Sequence, residues 1–299
     1  MITAPRVEGK APVRDGRVLG YAEFGPPSGR PVVWLHGTPG GRRQVPQAAR
    51  KLAEDLGARI IGIERPGIGW STAHLYKNIL DFTKDLSMAL DFLKVDRLSV
   101  IGLSGGGPYS LAAPVGLESQ RVVSVGILGG VGPTRGAQAV TGGPISIARK
   151  LAPALRVLEF PLTGLLTSLA WSLRPLASPG FDTYAKFSPE GDRKVFEVPE
   201  IKEMFLDDLL LASKSGMRAP IDDLILFTRP WGFSLSDVKV PVKWWHGDAD
   251  TIVPLSQAKE TVSHLANCDL IIRPGESHLG GMGAADEVIR TLLKTWDDN

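Results

Sequence analysis
Arg97-Leu98-Ser99-Val100-Ile101-Gly102-Leu103-Ser104-Gly105-Gly106-Gly107-Pro108 decides how the rest of the chain is read. An aliphatic run ends at Gly102 and three glycines follow Ser104. Tyr109-Ser110-Leu111-Ala112-Ala113 then continues as a helix. Gly102 to Gly106 fits G-x-S-x-G, a tight strand-to-helix turn that displays a serine. Such a turn holds the serine in a strained backbone conformation, so its neighbours must be small. A helix beginning near Gly105 aims its N-terminal amides and the positive end of its dipole at the serine oxygen. The motif is short and built of common residues. The strand before it and the helix after it set it apart from a plain Gly-Ser turn.

The 299 residues are enough for one large domain with an insertion. A net charge of +2 argues against an electrostatically driven nucleic-acid binder. Cys268 is the only cysteine, which excludes a disulfide within the chain and fits a cytoplasmic location. Met1 to Arg17 lacks an apolar core of signal-peptide length. Phe160 to Leu173 is apolar or hydroxylated throughout, but it is too short to span a bilayer and contains Pro161 and Gly164. It reads as a buried or lid-forming segment, so no stable membrane insertion is expected.

Apolar runs outside the serine turn mark further strands at Arg17 to Phe24, Pro31 to Leu35, Ala58 to Ile63, Val122 to Leu128, Val240 to Trp245 and Asp269 to Ile272. Helical patterns lie between them, at Gln44 to Leu56 with Gly57 as its stop, Leu80 to Leu93, Ser256 to Leu265 and Ala284 to Trp296. Strands alternating with helices imply an α/β fold, a mostly parallel central sheet with helices on both faces. Residues 132–232 break the alternation with helical stretches, clearest at Leu206 to Leu211 and Ile221 to Phe227. The expected division is a core of residues 1–131 and 233–299 with an inserted α-helical cap, or lid, of 132–232.

In an open parallel sheet, active sites form beyond the carboxyl ends of the strands. The loops there hold His36-Gly37-Thr38-Pro39-Gly40, Ser104, Gly247-Asp248-Ala249-Asp250 and Gly275-Glu276-Ser277-His278. A serine needs an adjacent base to act as nucleophile, histidine can take and return the proton, and a carboxylate fixes the histidine. His278 is the candidate base. His36 is assigned an architectural role in its loop, His246 is a candidate core residue, and His74 and His264 are expected at the surface. The acid is Asp248 or Asp250. No Asp or Glu occurs between Ser119 and Leu158 to supply it from the preceding strand.

With these motifs on view, the chain resembles the α/β-hydrolase superfamily over nearly its whole length. The resemblance rests on the His36 to Gly40 loop, Glu64-Arg65-Pro66-Gly67-Ile68-Gly69-Trp70-Ser71, the serine turn, the G-x-x-D loop and the final histidine. Its pattern G-x-x-D-x-x-x-P falls on Gly247, Asp250 and Pro254, which implies Asp250 as the acid and Asp248 as a turn carboxylate. The implied catalytic residues are Ser104, Asp250 and His278. The implied oxyanion hole is the N–H of Thr38 and of Gly105.

No cofactor or metal is implied, and the expected partner is a small-molecule substrate. The implied activity is hydrolysis of a small or medium, apolar carboxylic ester through an acyl-enzyme. Similarity to proline iminopeptidases offers an aminopeptidase reading, with Glu203, Asp207 and Asp208 as candidate ligands for a substrate amine. C–C bond hydrolysis and acyl transfer are further alternatives, and a hydrolase-fold ligand-binding receptor with little turnover is an alternative of another class. Haloalkane dehalogenases and epoxide hydrolases use an aspartate where Ser104 stands. Arg42 and Arg43 read as surface arginines. Trp171, Trp231, Phe181 and Phe205 are candidates for an apolar pocket under the cap. Phe160 to Leu173, with Leu166 as its example, is expected to cover the site.

Overall fold
The structure, a computed structural model, describes residues 2–143 and 159–297, with backbone only at 159–161. Eight strands form one sheet: β1 (Val7–Pro12), β2 (Val18–Phe24), β3 (Arg30–Leu35), β4 (Ala58–Ile63), β5 (Leu98–Leu103), β6 (Val122–Leu128), β7 (Val242–Gly247) and β8 (Cys268–Arg273). Their order is β1-β2-β4-β3-β5-β6-β7-β8. β1 and β2 pair antiparallel, β2 pairs antiparallel with β4, and every later pairing is parallel. The central strands are continuous apolar runs because both faces are covered. Val33 and Leu35 of β3 belong to one buried cluster, and Val32 and Trp34 to the other.

Helices α1 (Gln47–Leu56), α2 (Phe82–Phe92) and α3 (Gly107–Gly116) connect the first strands. Leu86 and Leu90 of α2 and Leu111 of α3 pack on the Val33 face. Ala49 and Leu52 of α1 pack on the Trp34 face. Gly57 ends α1 in the left-handed conformation, at φ 64. Gln44 to Val45 lie outside that helix because Pro46 precedes its first turn.

After β6 the chain leaves the sheet. It forms α4 (Glu159–Leu173), α5 (Ala177–Phe187), α6 (Glu190–Phe196), α7 (Pro199–Ala212) and α8 (Arg218–Phe227) before returning as β7. The helical stretches expected at Leu206 to Leu211 and Ile221 to Phe227 lie within α7 and α8. Residues 144–158 of the expected cap lie outside the described residues. Phe181, Phe196, Ile201 and Met204 join the Trp34-side core, and Leu226, Phe227 and Trp231 join the other. The chain closes with α9 (Leu255–Ser263) and α10 (Ala285–Asp297), the latter burying Val288, Ile289 and Leu292.

Several expectations are corrected. β1 carries no apolar run and was not foreseen. It is an edge strand held by its pairing with β2. The described side chains of the 160–173 segment, 162–173, are not buried: Leu165 is 66 % and Leu169 50 % exposed. Arg42 is not a surface arginine but 1 % exposed. Its guanidinium lies 3.7 Å over the Trp70 ring and pairs with Glu64 and Glu8, so its charge is met on several sides. Arg43 is only partly exposed and pairs with Glu8 and Asp207. His74 and His264 are half-buried, His74 lying edge-on to Tyr76 at 4.8 Å.

Candidate active site
β5 ends in a single tight turn, Ser104–Gly106, that runs directly into α3. Ser104 has φ 50, a left-handed conformation that costs energy for a residue with a side chain. The turn is possible because the backbones on either side approach closely. A Cβ on Gly106 would lie 2.2 Å from the Leu35 carbonyl oxygen, and one on Gly102 2.4 Å from Ser110 Oγ. Local strain and small neighbours together lift the Ser104 hydroxyl clear of the sheet.

Ser104 Oγ lies 2.7 Å from His278 Nε2, and His278 Nδ1 lies 2.7 Å from Asp250 Oδ2. The carboxylate fixes the tautomer: Nδ1–H donates to Asp250, leaving Nε2 to accept from Ser104. Asp250 follows β7 and His278 follows β8, so three strand ends bring the residues together. Asp250 Oδ1 accepts the N–H groups of Ile252 and Val253, both at 2.8 Å, which anchors it within its own turn. Asp248 points elsewhere and accepts the Gly275 N–H at 2.8 Å.

His246 is buried beside this group. Its Nδ1 accepts the Trp244 indole N–H, and its Nε2–H donates to the Val253 carbonyl at 2.7 Å. Burial pushes its pKa down, so it is neutral. It was foreseen as a core histidine; its place against the Asp250 turn was not, because nothing in the consecutive residues shows it.

Gly37 and Thr38 line the cavity above Ser104. Burial, then the Arg65 charge, holds the His36 imidazole well below its ordinary pKa. The neutral ring accepts the Arg65 backbone N–H at Nε2, so its Nδ1–H donates to the Gly37 carbonyl at 2.7 Å. Arg65, at the end of β4, donates to the carbonyls of His36 at 2.6 Å and Gly37 at 2.9 Å, and to Thr38 Oγ1 at 2.9 Å. Asp223 of α8 accepts from Arg65 Nη2 at 2.7 Å, Thr38 Oγ1 at 2.7 Å and Tyr109 at 2.8 Å. Burial and that neighbouring carboxylate raise the Tyr109 pKa well above its ordinary value, which keeps the phenol a donor. Arg65 lay in the motif read from sequence, but its carboxylate partner stands 158 residues away and had no sequence signal.

The cavity holds about 430 Å³. Apart from Ser104 and His278 its wall is largely apolar, with Phe181, Phe205, Leu209, Ile252, Leu279 and Met282. Phe181 and Phe205 are therefore where the sequence reading put them. Trp171 and Trp231 are not: Trp171 is exposed and Trp231 is buried in the core. Leu166 and the other described side chains of α4 do not line the cavity, and α5 and α7 supply that wall. Glu203, Asp207 and Asp208 are also absent from it. Asp208 is turned inward, where it accepts the Gly41 and Arg43 N–H groups at 2.8 and 3.0 Å. Among the described residues no group of three or more His, Cys, Asp or Glu is arranged to hold a metal ion. No described helix is long and apolar enough to cross a membrane.

A family profile for the alpha/beta hydrolase fold matches residues 30–133. A probable proline iminopeptidase of Leptolyngbya boryana is 38 % identical over 112 residues, 36 % of this chain and 34 % of that one. The chain thus spans about a third of the length of that relative. The dihydrolipoyllysine-residue acetyltransferase component of the acetoin cleaving system of Pseudomonas putida is 27 % identical, over 97 % of this chain and 70 % of that one. An esterase of Exiguobacterium antarcticum superposes with TM-score 0.70 at 18 % identity, covering 96 % of this chain and 98 % of its own. With the sheet order, the serine turn and these likenesses in view, the chain has the α/β-hydrolase fold.

Proposed function
We propose that the chain is a serine hydrolase that cleaves a small or medium carboxylic ester with an apolar acyl group. One observation carries this reading. The hydrogen-bonded series Ser104–His278–Asp250, at 2.7 Å for each link, opens onto a largely apolar cavity of about 430 Å³.

In this reading Ser104 is the nucleophile. His278 takes its proton through Nε2 as the Ser104 oxygen bonds to the acyl carbon, and Asp250 stabilises the imidazolium that forms. The carbonyl oxygen becomes an oxyanion, for which the Thr38 and Gly105 N–H groups are the donors. His278 then returns the proton to the departing alkoxide, leaving an acyl-enzyme. A water, deprotonated by the same imidazole, releases the acid. The insertion serves as the cap that keeps bulk water from the acyl group.

The proline-iminopeptidase reading has weaker support. A substrate ammonium needs an acidic partner, and the three candidate carboxylates stand outside the cavity wall. Acyl transfer shares every step up to the acyl-enzyme, and adding alcohol acceptors to the assay separates it from hydrolysis.

The test is labelling by a fluorophosphonate probe beside turnover of p-nitrophenyl esters of graded chain length. Ser104→Ala is expected to abolish labelling and lower kcat on the order of a thousandfold or more, with the fold retained. Near-normal esterase activity in that variant would reject Ser104 as the nucleophile. An unlabelled, inactive wild-type protein would instead favour a binding protein on this fold.

A further inference from the structure
Three successive helices of the insertion carry buried aspartates, and one aspartate from each takes hold of backbone or side-chain groups in the loops around the site. Asp192 of α6 accepts the N–H of Ser277 at 2.7 Å and also its hydroxyl. Ser277 directly precedes His278. Asp208 of α7 accepts the N–H groups of Gly41 and Arg43, in the loop that begins at Gly37. Asp223 of α8 holds Arg65, Thr38 and Tyr109. All three carboxylates are buried.

We propose that Asp192, Asp208 and Asp223 are positioning residues, through which the helical insertion sets the geometry of the loops that carry His278 and Thr38. The proposal rests on the hydrolase reading above. It makes the insertion part of the catalytic frame as well as a cover over the substrate.

Two arguments separate this role from simple anchoring. The first is that the insertion already docks by apolar contact, through residues such as Phe196, Ile201 and Met204 in the sheet-side core. The carboxylates add little to that burial, and their partners are loop groups beside Ser104. The second is the peptide geometry at Thr38. The Gly37 carbonyl accepts from Arg65 at 2.9 Å and from His36 at 2.7 Å. In a trans peptide the following N–H points the opposite way. Holding the Gly37 oxygen on the Arg65 side therefore turns the Thr38 N–H away from Arg65, and Asp223 holds Arg65 in place to do so. A displacement of a loop by about 1 Å is enough to cost on the order of a hundredfold in rate.

Substitution by Asn keeps the size but offers one acceptor oxygen instead of two. At Asp208 the new NH2 group faces a backbone N–H that cannot turn. At Asp192 the Ser277 hydroxyl can rotate and accept from it. At Asp223 a buried guanidinium loses its counter-charge. The expected order of loss in kcat is Asp223→Asn, then Asp208→Asn, then Asp192→Asn, and for the first it is on the order of tenfold to a hundredfold.

The experiment measures kcat and KM with a p-nitrophenyl ester, the rate of fluorophosphonate labelling and thermal melting, on the full chain and each variant. The expected result is a fall in kcat and in labelling rate together, in folded protein, with KM near the wild-type value. Folded variants that melt earlier but keep wild-type kcat and labelling rate overturn the proposal. If Asp223→Asn fails to fold, Tyr109→Phe removes one donor to Asp223. A few-fold loss of kcat at constant KM supports the proposal, and unchanged kcat there and in Asp208→Asn overturns it. An active wild type with equally active variants rejects this proposal alone. An inert wild type rejects the hydrolase reading and this proposal with it.

Discussion

His246 Nε2 lies 3.5 Å from Asp250 Oδ2, with both side chains buried. The imidazole is neutral, and its Nε2–H is committed to the Val253 carbonyl. Val253 in turn donates its N–H to Asp250 Oδ1. The two residues therefore brace one turn from both sides, and the carboxylate that faces His278 cannot swing without disturbing the histidine behind it.

Replacing that histidine is expected to loosen the turn. His246→Leu leaves the Trp244 indole N–H and the Val253 carbonyl without their buried partner. The cost is about 1–3 kcal/mol of stability for each group so orphaned. Thermal melting should fall, and kcat should fall with it in the protein that remains folded. Unchanged kcat at a lowered melting temperature would limit His246 to a packing role.

The two aspartates of the Gly247 turn are expected to behave differently. Asp250→Asn removes the charge beside the imidazole and lets the wrong tautomer form, so kcat should drop on the order of ten-thousandfold. Asp248→Asn disturbs only the contact to the Gly275 N–H and should be much milder. A dead Asp248→Asn beside an active Asp250→Asn would reverse the assignment.

Gly180 allows pocket shape to be separated from stability. It lies within α5, lines the cavity, and an added Cβ would meet nothing within 4 Å. Gly180→Leu should fill part of the cavity while raising helix stability by about 0.5–1 kcal/mol. The expected outcome is a shift of kcat/KM toward shorter acyl chains with no loss in melting temperature. An unchanged chain-length profile would mean that the acyl group lies against another wall.

Burial pushes the Asp208 carboxyl up to about 7, against the pull of the Gly41 and Arg43 N–H groups and with a smaller push from Glu64 and Asp207. The ordinary value is 3.8, so the folded protein holds this proton where the unfolded chain has released it. The resulting stability is fully present below about 4 and is lost as pH rises through about 7. Urea midpoints between pH 4 and pH 8 should therefore fall less steeply with rising pH in Asp208→Asn than in the wild type. Equal slopes would show that Asp208 does not titrate in this window.

Much of this arrangement is written in consecutive residues. The Ser104 turn is legible because its strain must be met locally, by glycines at fixed offsets. The central strands are legible because burial on both faces demands unbroken apolar runs. β1 is not, since its pairing with β2 replaces any apolar signal, and Lys10 and Pro12 suit an edge. Asp250 and His278 were recognisable as strand-end residues, whereas their 2.7 Å contact depends on β7 and β8 lying side by side. What only the tertiary structure decided is where the charged side chains of Arg42, Asp192, Asp208 and Asp223 turn. A helix period tells which positions share a face, and a charge on that face reads as solvated. These charges are buried because partners 22 to 167 residues away in the chain supply the missing hydrogen bonds, and no local pattern encodes such a partner.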